Sequence, residues 1–338
     1  MKAAILEKID APLAVKEVEL TELKFGQVLV KILVSGLCGA QLHEIRGHKG
    51  NAKFLPHLMG HEGCGIVEEV GLGVTTVKPG DKVVMHWRPG SGVEAPFPNY
   101  ILDGKTISSG KVTTLSEYSI VSENRLTPIP ADTPSVLAAM LGCSLTTALG
   151  IIDNECDLKF GETVAILGCG GVGLNLIQAA NMRSVARVYG VDINKKMIDL
   201  SYIMGVTFFT ESIKNIEDSV DVIIDTTGIP EVIAEAYEKL SPSGRLILVG
   251  QPAPGKSIEF PNAVSMFDGS GKSVRATQGG GTIPQIDIPR YIELAQRGIL
   301  HYEQLHTDTF SLDEVNEAFD LLKSGNAGRI MIQIGEEV

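Results

Sequence analysis

Between Thr163 and Asp192 the sequence leaves little freedom of architecture. The apolar run Thr163–Leu167 has strand character and passes directly into Gly168-Cys169-Gly170-Gly171-Val172-Gly173. Helical spacing follows over Val172–Met182, and a second apolar run, Val188–Val191, ends at Asp192. Strand, glycine turn, helix and strand in this order require parallel strands joined by a crossover helix. In that context the glycines have separate uses. The first permits the tight turn, the second lets a pyrophosphate approach the backbone, and the third admits close helix packing. The helix start then offers its free N–H groups to phosphate.

The alternation continues through the helical stretch Lys195–Met204, the strand Asp221–Asp225, the helix Glu231–Leu240 and the strand Leu246–Val249. A parallel sheet covered by helices is therefore expected from about Gly161. The first third reads differently. Met1–Leu6, Val28–Val34, Gly65–Val70 and Val83–Met85 are short strands broken by glycine and proline, with Lys78-Pro79-Gly80-Asp81 as a turn, which predicts a β-rich, barrel-like domain. A length of 338 residues fits two domains better than one core. Helical patterns at Pro289–Arg297 and Ser311–Ser324 precede a closing strand, Arg329–Ile334. That final part is expected to rejoin the first domain.

Asp192 lies 24 residues after Gly168 (192 − 168), at the end of the second strand. A carboxylate there accepts hydrogen bonds from an adenosine ribose and repels a 2′-phosphate, which favours NAD over NADP. The adjacent Lys195 and Lys196 act against that choice. A net charge of −12 disfavours nucleic acid and anionic membranes as partners. The first eight residues meet charge too early for a signal peptide, and no apolar run is long enough to span a bilayer. Five scattered cysteines point to a reducing compartment, so a cytoplasmic protein is expected.

Three residues are candidate metal ligands: Cys38 in Ser35-Gly36-Leu37-Cys38-Gly39, His61 in Gly60-His61-Glu62-Gly63, and Cys143 in Leu141-Gly142-Cys143-Ser144. Two thiolates and one imidazole leave a tetrahedral zinc one ligand short, as a catalytic site requires. Their wide spacing does not by itself establish that they meet. Cys64, Cys156 and Cys169 read as small buried hydrophobes.

Taken together, these motifs resemble the zinc-dependent alcohol dehydrogenases of the medium-chain dehydrogenase/reductase superfamily over nearly the whole chain. The resemblance implies a GroES-like β-rich catalytic domain, residues 1–147 completed by 279–338, around a Rossmann doubly wound NAD-binding domain, residues 148–278. A cleft between them would hold the site. It makes Cys38, His61 and Cys143 ligands of one catalytic zinc and Glu62 an alternative ligand. His43 ends a proton relay, and Trp87 lines the substrate pocket or is ordinary core. Gly168, Gly170, Gly171, Val172, Gly173, Asp192, Ile193 and Arg329 contact NAD, with Arg329 on the pyrophosphate. His48 and His57 are expected on a loop near the cleft and outside the metal set, while His86, His301 and His306 have no motif behind them. Gly279-Gly280-Gly281 either crosses near the nicotinamide or is a flexible turn.

Three departures from the family pattern stand out. No cysteine occurs between Cys64 and Cys143, so the second, structural zinc lobe is replaced by a loop rich in glycine and proline, His86–Tyr100. Ala40 stands where a relay serine or threonine is usual. Gln41 stands where an acid orients the zinc-bound histidine, and its amide is expected to accept the imidazole N–H. The implied function is hydride transfer between NAD and an alcohol, polyol or sugar-type substrate, or reduction of the matching carbonyl, by a homodimer or homotetramer. Two alternatives remain open: a zinc-free quinone or enoyl reductase on the same fold, and a non-catalytic protein that binds NAD and zinc.

Overall fold

The computed structural model describes residues 1–336. They form two compact units: Met1–Thr146 with Ile283–Arg297 and the chain from His306 onward, and Thr147–Thr282 with Gly298–Leu305.

The first unit is built on the strand Gln27–Gly36. Val28, Val30 and Ile32 alternate onto one face and are fully buried with Val67, Val83 and Met85, the period-two pattern of a strand with one core face. This strand pairs antiparallel with Glu62–Val70, with Tyr118–Ser122 and, at its far end, with Arg329–Gln333. The expected strands Val28–Val34 and Gly65–Val70 therefore both run longer than their apolar cores. The extension starts Glu62–Val70 immediately after His61 and carries Gln27–Gly36 to within two residues of Cys38. A second sheet of six strands includes Lys2–Leu6 and His57–Leu58. His57 is thus in a short buried strand, with Nδ1 at 2.9 Å from the Leu58 carbonyl oxygen, and is not a loop residue.

The stretch that replaces the cysteine lobe is held by carboxylates. The buried Glu123 accepts backbone N–H bonds from Thr75 (2.5 Å), Thr76 (2.6 Å) and Val93 (2.7 Å). Glu94 binds Lys111, Asn124 and Arg125. Partial burial opposes its charge, but the bonds from Lys111 and Asn124 and the Arg125 charge hold it at about 2.

The second unit carries a six-stranded, all-parallel sheet in the order Phe208–Thr210, Arg187–Val191, Thr163–Leu167, Val220–Asp225, Leu240–Leu248, Ser273–Ala276. The first of these in sequence, Thr163–Leu167, is central, so the strand order reverses beside it, where open α/β sheets bind ligands. Two sequence expectations are redrawn. Lys195–Met204 divides into a 3-10 turn, Lys195–Met197, and the helix Ile198–Ile203. The strand expected at Leu246 begins at Leu240, directly after the helix Pro230–Lys239, and absorbs Pro242 through a register shift.

The return to the first unit is interrupted. Gly298–Leu305 packs with the second unit, where Gln178 clasps its backbone, donating to the His301 carbonyl and accepting the His301 N–H, both at 3.0 Å. Ser311–Ser324 is not one helix: His306–Ser311 is a strand, and a Ser311–Glu314 capping box starts the turn leading into Val315–Ser324. No helix among the described residues is long and apolar enough to cross a membrane.

Candidate active site

Cys38 precedes the first turn of the helix Gly39–Ile45, His61 immediately precedes the strand Glu62–Val70, and Cys143 precedes the helix Ser144–Gly150. Gly142 makes the last approach possible. A Cβ there would collide with the Met85 carbonyl oxygen and lie 2.8 Å from the Glu62 Cβ. The three donor atoms lie within 4.8 Å of one another, and among the described residues this is the group of three or more candidate donors that could hold a metal. The donor set, two thiols and an imidazole at this spacing, fits zinc with an open position.

The protonation of the cluster follows from its contacts. Hydrogen bonding from Cys143 holds the Cys38 thiol well below its ordinary pKa, assisted by His61. The same bond pushes Cys143 up. Burial opposes the charge on His61, but the Cys38 bond and charge outweigh it, so His61 is raised.

Glu62 and Arg329 lie behind this cluster as a buried ion pair, 0% and 3% exposed at their side chains. The second Glu62 oxygen accepts the Ser144 N–H at 3.3 Å. Burial raises the Glu62 carboxyl above its ordinary value, and Arg329 pulls it back only in part. The Arg329 guanidinium, expected on the cofactor pyrophosphate, here faces Glu62 in the first unit as its buried counter-charge. The signal in the sequence was Gly36, where a Cβ would come within 2.8 Å of the Glu62 carboxyl carbon and 3.0 Å of an Arg329 nitrogen. Gln41 is corrected. Its buried amide oxygen accepts the Cys38 N–H at 2.8 Å and closes a capping box, while its nitrogen has no partner. The amide oxygen therefore serves the backbone of a ligand, not the imidazole of His61.

His43 is half-buried on the helix after Cys38. Trp87 is half-buried with its carbonyl held by Arg125 and the Arg88 guanidinium 5.8 Å from its ring centre. His86 is buried between the Arg88 carbonyl (2.7 Å) and the Thr127 hydroxyl (2.9 Å), a framework position.

In the second unit the glycine turn is made by backbone. A Cβ on Gly173 would collide with the Gly168 carbonyl oxygen, so the helix Gly171–Asn181 can press on the turn only with glycine there. Its start at Gly170 has no side-chain cap, leaving N–H groups for an anion. Thr226 donates its hydroxyl to Leu167 and Gly168 carbonyls at 2.9 and 3.0 Å, an anchor the sequence reading missed. Asp192 accepts the Cys169 N–H (2.7 Å) and the Asn194 N–H (2.8 Å), so it also braces the turn. Each oxygen keeps a further lone pair for a ribose hydroxyl. Val172, the second residue of the helix, is half-buried, Ile193 is 85% exposed, and Lys195 is turned onto Glu211 at 2.7 Å.

The fold and donor set define a two-unit dehydrogenase with a GroES-like half and a dinucleotide-binding half. Residues 24–131 match the alcohol dehydrogenase GroES-like domain, and residues 171–297 match the zinc-binding dehydrogenase domain. The chain is 31% identical to alcohol dehydrogenase 6 of Peromyscus maniculatus, over 98% of this chain and 97% of that one. It is 28% identical to S-(hydroxymethyl)glutathione dehydrogenase of Escherichia coli, over 98% and 99%. The crystal structure of benzyl alcohol dehydrogenase from Acinetobacter calcoaceticus superposes with a TM-score of 0.88 at 23% identity, covering 99% of both chains. The chain belongs to the zinc-dependent alcohol dehydrogenase family of the medium-chain dehydrogenase/reductase superfamily. It is a zinc-dependent oxidoreductase, and its cofactors are zinc and NAD.

Proposed function

We propose that the protein interconverts a primary or secondary alcohol, polyols and sugar-type alcohols included, with the matching carbonyl. The convergence of Cys38, His61 and Cys143 in a chain of this family carries the reading. When bound, zinc supplies a Lewis acid for the substrate oxygen and NAD supplies the hydride acceptor. Cys38, His61 and Cys143 hold the metal, and the Glu62–Arg329 pair fixes the wall behind it. Glu62 has one oxygen on Arg329 and the other on the Ser144 N–H, so service as an alternative ligand would draw on the remaining lone pair of one oxygen or on release of one of these bonds. Asp192 selects NAD by refusing a 2′-phosphate, and the engagement of Lys195 by Glu211 supports that choice. His43 takes the released proton outward. Ala40 offers no hydroxyl on the way, so ordered water, or a second hydroxyl of a polyol, would bridge the gap. Trp87 borders the substrate.

Residues 1–147 with 279–338 form the catalytic domain of this reading and 148–278 the NAD domain. Assembly into a homodimer or homotetramer is supported by the outermost strand Ser273–Ala276 and the neighbouring Val264 and Phe267, 77% and 82% exposed. Five free, buried cysteines support a cytoplasmic setting.

The test combines elemental analysis with NAD-linked turnover on a panel of simple alcohols and polyols. One zinc per chain and turnover that is lost on zinc removal are expected. Full activity without zinc would favour a zinc-free reductase, and no turnover across the panel would leave a binding protein.

A further inference from the structure

The helix Gly39–Ile45 ends in a way that brings two histidines together. Arg46 caps it in the right-handed region, and Gly47 follows with φ of 71°. The Gly47 N–H donates to the Glu44 carbonyl and the His48 N–H to the His43 carbonyl, both at 2.9 Å. These are the paired bonds of a Schellman ending, which sets the side chain after the glycine against the one five positions earlier. That contact is ordinarily apolar. Here both partners are histidine, and their Nδ1 atoms share a hydrogen bond at 3.4 Å, which a bound metal would replace, with ring centres 5.6 Å apart. Two nitrogens each about 2.0–2.1 Å from a tetrahedral zinc would be separated by about 3.3–3.4 Å. The backbone has already set the pair at a metal's bite.

We propose that His43 and His48 form a two-imidazole clamp for a divalent transition-metal ion, separate from the Cys38–His61–Cys143 set, with water completing the coordination. Imidazole selects zinc, nickel or copper(II) over magnesium and calcium. His43 is half-buried and His48 exposed, so the ion is reached from solvent. Burial, then the charges of His48, Arg46 and Lys49, holds the His43 pKa below its ordinary value. This leaves a neutral ring for the metal at pH 7. The same Arg46 and Lys49 repel a cation and keep the site weak and reversible. Occupation of His43 would block the proton exit assigned to it above, so inhibition by excess metal rests on that reading, whereas binding does not.

The test is calorimetric titration of the zinc-loaded enzyme with Ni²⁺, with zinc content measured afterwards to show that the catalytic ion stays. Wild type should bind one additional Ni²⁺ per chain. His48→Gln and His43→Gln should each weaken that binding about tenfold or more, and Mg²⁺ should give no signal. Identical Ni²⁺ isotherms for wild type and His48→Gln, or no saturable binding, would overturn the clamp. If Ni²⁺ binds in the predicted way but turnover is unaffected, the clamp stands and His43 is removed from the proton path.

Discussion

In the first unit the chemistry is carried by side chains gathered from positions 38, 61 and 143, each placed by the end of a different element. In the second it is carried by backbone, in six consecutive residues from Gly168 to Gly173 whose side chains are small or absent. The difference decides how each site fails. A side-chain site loses function when a donor atom is removed and keeps its shape. A backbone site loses its shape when an atom is added.

Cys38→Ala gives the largest expected effect. It deletes one of three donors, so turnover should fall by about 10⁴-fold or more through loss of the Lewis acid, while NAD affinity, measured by fluorescence titration, stays within a few-fold of wild type. Gly173→Ala should do the reverse: the added methyl meets the Gly168 carbonyl, so NAD binding collapses while zinc content is kept. If either variant loses both properties and still melts as wild type does, the division between the units is wrong.

Arg329 sharpens the comparison inside the first unit. Removing one partner of a buried pair leaves an unpaired charge and typically costs about 3–5 kcal/mol. Arg329→Met should therefore lower stability by that order in denaturant unfolding, and Glu62→Gln in the same chain should recover part of it. A pyrophosphate contact behaves otherwise: NAD affinity would drop with stability unchanged, and the second substitution would recover nothing.

Legibility in the sequence followed the same division. The glycine turn, its flanking strands and Asp192 could be read because they are contiguous and their periodicity is local. The zinc ligands could be named only through their motifs, since no local rule brings residues 38, 61 and 143 together. The Glu62–Arg329 pair spans 267 positions and left only Gly36 as a trace. The diversion of Gln41 onto the Cys38 N–H was hidden for another reason. Its amide can serve either neighbour, and the helix start decides. The packing of Gly298–Leu305 with the second unit, where Gln178 holds it by two hydrogen bonds, left no local pattern to read.

The framework beside the zinc pocket should report its own pH dependence. Burial lowers His86 to about 4 from an ordinary value near 6.5, so it is neutral when folded. Between these values the unfolded chain takes up a proton that the folded chain refuses. Stability is then full above about pH 6.5 and falls as the pH drops towards 4, by about 3 kcal/mol in all. His86→Gln should flatten that part of the profile of unfolding free energy against pH. An unchanged slope would place the acid sensitivity elsewhere. No matching loss is expected from the glycine turn, which contains no titratable group except the buried Cys169, raised to about 12.

The smallest expected effect comes from restoring a hydroxyl at position 40. Ala40 is half-buried in the first turn after Cys38, and no hydroxyl or titratable side chain stands between it and His43, since the intervening residues are Gln41, whose amide oxygen accepts the Cys38 N–H, and Leu42. An alanine there cannot pass a proton, so a simple alcohol must rely on water to reach His43. Positioned proton transfer is typically worth about 10²–10⁴-fold, and bridging water would retain most of that. Ala40→Ser should therefore speed simple alcohols by about tenfold at neutral pH, with less gain as the pH rises and deprotonation becomes easier. A polyol that offers its own second hydroxyl should gain little. Steady-state rates for both substrate types, with deuterated alcohol to confirm that hydride transfer limits the rate, separate the outcomes. Equal acceleration of both would mean that the new hydroxyl reshapes the pocket and does not relay. No acceleration of either would send the proton by a route that avoids His43, and would make the side-chain site of the first unit more dependent on solvent than its ligands imply.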